Sequence, residues 1–186
     1  MAELRLMGRY KRYYVRMGFG RPILSGRHLL QLRQVNLQYI SDRSFKSPDE
    51  FILKYGWCVF TCDGRAEEQL GSPAYVHPGW DGWMASNHVM RAIPRQGVQP
   101  GYLYLALRSP YTQRQLKARA TGSVVDALEP ETIGEVLLPA LSSRDQERLG
   151  KASARAWDDI ASAQELEDRT VQDFEKLIIA GYEEAK

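Results

Sequence analysis

Apolar and polar positions change period along this chain, and the change divides it in two. Up to about residue 138 the apolar residues come in short runs rich in Val, Ile, Leu and aromatics, each bounded by Gly, Pro, Asp or Ser. Residues 13–15, 35–40, 57–62, 88–93 and 134–138 carry this signature and are expected to be strands. Residues 103–107 and 111–120 fit a helical period better, and 25–32 and 48–55 predict short helical turns. The expected fold class is α+β, an irregular and mostly antiparallel sheet with short helices, over residues 1–141.

From Ser142 the period becomes helical and stays so. Pro139 stops the preceding run, and Ser142-Ser143-Arg144-Asp145-Gln146 offers an N-cap with a side-chain partner three residues on. The chain then continues to Ile179 with Gly150 as its one Gly or Pro, closing at Gly181. Leu149, Ala152, Ala156, Ile160, Ala163, Leu166, Val171, Phe174 and Ile178 recur every three to four residues. That spacing predicts one long C-terminal α-helix in residues 142–186, about 55 Å long, with a narrow apolar stripe. A domain this small cannot cover such a helix, so the stripe predicts a partner helix, which the alanines would let approach closely.

Composition narrows the class. At 186 residues, 44% hydrophobic and 26% charged, the chain can bury a sizeable core and is not disordered. No apolar run approaches a membrane span and the basic N-terminus lacks an apolar leader core, so the expected location is cytoplasmic with no membrane partner. The net charge of +2 conceals an asymmetry: Arg5, Arg9, Lys11, Arg12, Arg16, Arg21, Arg27, Arg33, Arg43 and Lys46 face only Glu3 and Asp42 in the first 46 residues. Acids dominate the C-terminal segment. A basic front predicts a polyanion partner, although plain surface charge gives the same asymmetry.

Candidate chemistry is sparse. Cys58 and Cys62 with His77 and His88 suggest a metal, but residues four apart in a strand lie about 13 Å apart, too far to share one ion. They are expected to be core thiols, with no metal site. Ser72-Pro73-Ala74-Tyr75 and Ser109-Pro110-Tyr111 lack the second proline of an amino-methyltransferase loop, and no Gly-rich cofactor turn accompanies them. His28, His77 and His88 have no nucleophile at a fixed offset, so no catalytic residue and no enzyme activity are expected. Arg9-Tyr10-Lys11-Arg12-Tyr13-Tyr14-Val15-Arg16, basic residues interleaved with aromatics, fits nucleic-acid contact, as would a β-hairpin with a solvated basic face. In Trp83-Met84-Ala85-Ser86-Asn87-His88-Val89-Met90-Arg91-Ala92-Ile93-Pro94 a polar step opens a strand, with Asn87 expected to cap the turn and Val89 and Ile93 to face the core.

Several segments in order resemble a known family. Gly20-Arg21-Pro22-Ile23-Leu24-Ser25 is similar to its Gly-x-Pro entry, and residues 52–61 to its Leu-Lys-x-Gly strand. Asp63-Gly64-Arg65 resembles its Gly turn, and Ser86-Asn87 its Ser-Asn step into a strand. Residues 100–109 resemble its Gly-aromatic-Leu helix and 121–128 its Gly-Ser/Thr segment. Residues 133–139 with Gln146 resemble the closing run that launches its long helix. The pattern, over roughly residues 9–180, resembles one target recognition domain with its spacer helix, as in the DNA-specificity (S) subunit of Type I restriction-modification systems. Trp57 stands where that family usually has Asp, Ala140 where it usually has Pro, and the usual opening segment is short or missing.

The resemblance implies a target recognition domain at 1–141 and a spacer or dimerisation helix at 142–186, as a half-length S protein, a truncated gene or one half of a longer subunit. It implies a non-catalytic subunit that reads one half of a bipartite double-stranded DNA target. A homodimer, or pairing with a second S half, restores the other half. Methyltransferase (modification) subunits on the helices supply the S-adenosylmethionine chemistry, and a translocating nuclease subunit can join; this chain holds no cofactor. The expected DNA contacts, chosen by chemistry and loop position, are Arg9, Lys11, Arg12, Arg16, Arg65, His77, Asn87, His88, Lys117, Arg119 and Ser123. Leu149, Ala152, Ala156, Ile160, Ala163, Val171, Phe174 and Ile178 are the expected partner-helix positions. The competing readings are a detached recognition domain of a fused methyltransferase-nuclease, and a scaffold in which the helix does the work.

Overall fold

The computed structural model describes residues 1–64, 69–120 and 126–184. In chain order these form β1 (Ala2–Arg5), β2 (Tyr14–Val15), β3 (Arg21–Leu24), α1 (Gly26–Leu29), β4 (Gln38–Ile40), β5 (Cys58–Thr61), β6 (Asp63–Gly64) and β7 (Pro73–Tyr75). There follow β8 (Met84–Ala85), β9 (Val89–Pro94), α2 (Pro100–Arg108), α3 (Pro110–Arg119), β10 (Asp126–Ala127), α4 (Pro130–Gly134) and α5 (Ser143–Glu184). One four-stranded sheet has the order β1-β9-β5-β7, a second β2-β4-β3-β8, and β10 pairs with β6. All pairs are antiparallel except β3 with β8. The α+β expectation is met.

The first sheet is built on the two most apolar strands. Cys58, Val59, Phe60, Val89, Met90 and Ala92 are all 0% exposed, so β5 and β9 are buried on both faces. One face packs on Leu103, Tyr104, Leu107 and Leu116 of α2 and α3; the other, through Val59 and Val89, meets Leu24, Leu29, Leu53 and Trp80. At about 2 kcal/mol for each large apolar side chain, this double burial dominates the core. Proline is tolerated in β7 because that strand is a sheet edge, where no ladder N–H is needed on the outer side.

Three expectations are corrected. Residues 134–138 are not a strand: Pro130 stands at the first turn of α4, which ends at Gly134. Among the described residues no strand pairs with the segment after it. The Gln115 side chain instead donates to the Leu137 carbonyl (2.9 Å) and accepts from its N–H (3.0 Å), doing the work of a neighbouring strand. Secondly, the basic N-terminal segment is not half of a hairpin. β2 and β3 both pair with β4, which lies between them, and residues 16–20 arch from one to the other. Thirdly, α5 runs past Gly181 to Glu184, 42 residues or about 63 Å.

Helix α5 begins as expected. The Ser142 hydroxyl accepts from the Asp145 N–H (3.2 Å) and donates to the Asp145 carboxylate (2.7 Å). Its first half lies on the domain, but not through the apolar stripe. Gly150 crosses α2 at Gly101 so closely that a Cβ on Gly150 would sit 3.0 Å from the Tyr102 nitrogen. Trp157 stacks on His77 (5.9 Å between centroids, 11° between planes) and meets Tyr104 edge-on (5.5 Å). Tyr55 donates to Asp158 (3.0 Å), and Arg33 pairs with Glu167 and Asp168. At 3.6 residues per turn, the stripe lies about a quarter-turn from this docked face. Leu149, Ala152, Ala156 and Ile160 therefore line an open groove of about 420 Å³ with Tyr104, Leu105 and Arg108. Ala163, Leu166, Val171, Phe174 and Ile178 are exposed.

Candidate nucleic-acid interface

The loop between β8 and β9 carries the polar step Ser86-Asn87-His88. Ser86, 2% exposed, is its anchor: the Ser86 N–H donates to the Leu24 carbonyl (2.8 Å), and the Ser86 hydroxyl accepts from the His88 N–H (3.3 Å). The turn is thus capped by Ser86 and not by Asn87, while Val89 is in the core and Ile93 half-buried. This leaves the Asn87 and His88 side chains free to point outward.

Both are held in one chain of hydrogen bonds. Arg12 Nη2 donates to Asn87 Oδ1 (2.7 Å), which fixes the amide so that Asn87 Nδ2 donates to His88 Nε2 (3.2 Å). His88 Nδ1 then carries the proton and donates to the Asp63 carboxylate in β6. Arg12 also donates from Nη1 to the Tyr14 hydroxyl (3.4 Å) and lies over the Tyr10 ring (5.5 Å). Its pKa is raised above the ordinary value, first by the Tyr14 hydrogen bond and against the cost of burial. A cation, an amide and a neutral imidazole thus stand side by side on one surface. These groups can neutralise a phosphate and present donors and acceptors to base edges.

A residue the sequence reading passed over positions this loop. Arg91 is 0% exposed, and no carboxylate pairs with it among the described residues. Its guanidinium donates instead to the carbonyls of Val89 (3.0 Å), Ala85 (3.0 Å) and Phe51 (3.4 Å). Two of those carbonyls flank Ser86-Asn87-His88, so Arg91 clasps the loop from beneath. Burial pushes its pKa down to about 10. The signal was present as a single charge inside the apolar run 89–92.

The other expected contacts divide. Arg9, Lys11 and Arg16 are exposed on the segment around Arg12, and Lys11 lies over the Tyr13 ring (5.0 Å). Lys117 and Arg119 sit on the last turn of α3 with no contact to the Arg12 cluster, and Arg119 donates to the Gln115 carbonyl of its own helix (3.3 Å). Arg65 and Ser123 lie outside the described residues. His77 is a correction: it is 2% exposed, its ring accepts from the Gly79 N–H (3.2 Å), and Trp157 covers it. Burial pushes its pKa down to about 4, opposed by the Asp158 charge. It packs the domain against α5, stacked on Trp157 and away from the Arg12 cluster.

The sequence also raised histidine and cysteine chemistry, and the structure places His28 in a helix cap and Cys58 and Cys62 in the core. Ser25 and His28 approach within 3.2 Å, but this is a helix cap, and the other ring nitrogen of His28 faces Arg27 and no orienting carboxylate. Cys58 and Cys62 are buried free thiols, the latter pushed up to about 12 mainly by burial. Among the described residues no group of three His, Cys, Asp or Glu is placed to hold a metal, and no helix is long and apolar enough to cross a membrane.

No family profile matches the chain, and no curated protein matches it in sequence. Solved structures do match its fold. The crystal structure of the HsdS subunit from Thermoanaerobacter tengcongensis superposes with a TM-score of 0.57 at 14% identity, over 89% of this chain. A chain of the type I R-M system, solved to explain its complex assembly and conformational transition, superposes with a TM-score of 0.51 at 15% identity, over 88% of this chain. In both cases the match spans 37% of the longer chain. The α+β domain and its long helix therefore share the fold of a little over one third of an HsdS subunit.

Proposed function

We propose that this chain is the non-catalytic DNA-recognition component of a Type I-like restriction-modification system, reading one half of a bipartite duplex target. The observation that carries this reading is the Arg12–Asn87–His88–Asp63 chain, set among exposed Arg9, Lys11 and Arg16 on a fold of the HsdS type. The surface cations contact phosphates, and Asn87 and His88 face base edges. The exposed stripe of α5 and its groove against α2 take a second helix, from another copy of this chain or from a second S half. Modification subunits bound along these helices carry S-adenosylmethionine and perform methyl transfer; a nuclease subunit can add cleavage.

The test is selection from randomised duplexes by the full chain, alone and with the modification subunit of its own system. Enrichment of one short sequence, weakened about tenfold in Asn87→Ala, is the expected result. Uniform recovery of all sequences in both formats overturns the proposal.

A further inference from the structure

The loop at residues 16–20 places two large apolar side chains in water beside the basic cluster. Met17 is 76% exposed and Phe19 78%, with the Tyr14 ring next to them at 50%. The loop is rigidly built. The Phe19 N–H closes a turn on the Arg16 carbonyl (3.1 Å), and Gly18 takes a φ of +86° that favours glycine. Gly20 is pressed so close to β4 that a Cβ there would collide with the Ile40 carbonyl and stand 2.6 Å from the Val15 Cγ2. Tyr14, Val15, Arg16 and Phe19 enclose a shallow cleft at the tip.

This apolar tip is continuous with the polar chain. Tyr14 borders the cleft and accepts from Arg12, which in turn holds Asn87. Exposed Arg16 flanks the cleft and exposed Arg9 and Lys11 lie on the same segment, while Arg21 in the strand that follows is paired with Asp42 (3.2 Å). A partner for this surface must be anionic around its rim and apolar at its centre. Among the base edges of duplex DNA the C5-methyl of thymine meets that description: it is presented in the major groove, and the minor-groove edges present no methyl. The major groove, about 12 Å wide, admits a five-residue loop of this kind.

We propose that Met17 and Phe19 form an apolar reader that packs on a thymine C5-methyl in the major groove, next to the base edge facing Asn87. The inference rests on the DNA-recognition reading above and adds a chemical class of contact to it. Because a methyl is read by burial, the contact distinguishes thymine from uracil, which differs from it by that methyl alone.

The test uses the full chain and duplexes enriched from a random pool, resynthesised with uracil replacing one thymine at a time. One position is expected to weaken wild-type binding about fourfold, the worth of one buried methyl group. Phe19→Ser and Met17→Ser should remove that dependence while leaving the response to salt unchanged. Binding that ignores uracil at every position, or an enriched sequence without thymine, overturns the methyl reader and leaves DNA recognition standing. Failure to enrich any duplex overturns both. If Phe19→Ser binds duplex like wild type but no longer binds the modification subunit, the tip is a protein-docking site and the inference falls.

Discussion

Arg12 and Asn87, 75 positions apart, meet where Nη2 of one donates to Oδ1 of the other at 2.7 Å. The bond ties the basic N-terminal segment to the loop before β9. It also fixes which way the Asn87 amide faces, and hence which ring nitrogen of His88 carries the proton.

Two substitutions at this pair should separate two kinds of contact. On the proposed DNA-recognition role, Arg12→Ala removes a cation available to phosphate, so duplex affinity falls and the slope of log K against log salt shrinks by about 0.9. Asn87→Ala should leave the slope intact and weaken sequence preference by about tenfold, as loss of a base-edge contact does. Titrations at four salt concentrations distinguish the two, and the reverse pattern would reassign the roles.

Arg91→Leu should destabilise the fold by about 1–3 kcal/mol, because the carbonyls of Ala85, Val89 and Phe51 lose their donor in a dry interior. Denaturant midpoints measure this. Hydrogen exchange should also quicken at Asn87 and His88 in the variant, since the clasp beneath their loop is gone. Unchanged exchange there would mean that Ser86 alone holds the loop.

His77 predicts acid sensitivity with a definite window. Its folded pKa, about 4, lies below the ordinary value of 6.5, so between these pH values the unfolded chain binds a proton that the folded chain does not. Stability is therefore lost as pH falls from 6.5 to about 4, on the order of 3 kcal/mol, with no further loss from this group below that. His77→Gln should flatten the thermal midpoint across this window relative to wild type. Equal slopes in both proteins would show that His77 charges freely in the folded state.

The apolar stripe predicts association. Phe174 is 62% exposed on the second half of α5, so Phe174→Lys should leave the thermal midpoint of the monomer unchanged. The wild-type chain at about 50 µM, well above the Kd of a stable helix pair, should scatter light as a dimer and the variant as a monomer. A monomeric wild type would remove self-pairing and leave a second S half as the partner.

Much of the fold was legible where apolar period and turn residues agree. The strands around residues 57–62 and 88–93 and the helix after Ser142 follow from the local pattern. β7 was hidden by Pro73, which an edge strand tolerates, and β1 by its shortness, since Ala2-Glu3-Leu4-Arg5 alternates apolar and polar but spans only four residues. Residues 134–138 read as a strand because their composition fits one. Only the position of Gln115, twenty-two residues upstream, shows why no strand partner is needed. At the site, Asn87 and His88 stood out as a polar step, whereas Asp63 looked like an ordinary turn residue. Trp157 was passed over because it lies off the apolar stripe, on the face that docks to the domain. The His77 misplacement has the same origin: a histidine in a Gly/Pro-rich loop looks exposed until the helix that covers it is known.

The most direct test of the account is the salt dependence of duplex binding by the full chain, beside a variant with Arg9, Lys11, Arg12 and Arg16 all changed to Gln. The account predicts a steep negative slope for wild type, reduced by about 3–4 in the variant, with affinity falling in parallel. Binding that is absent, or equally salt-dependent in both proteins, would contradict it.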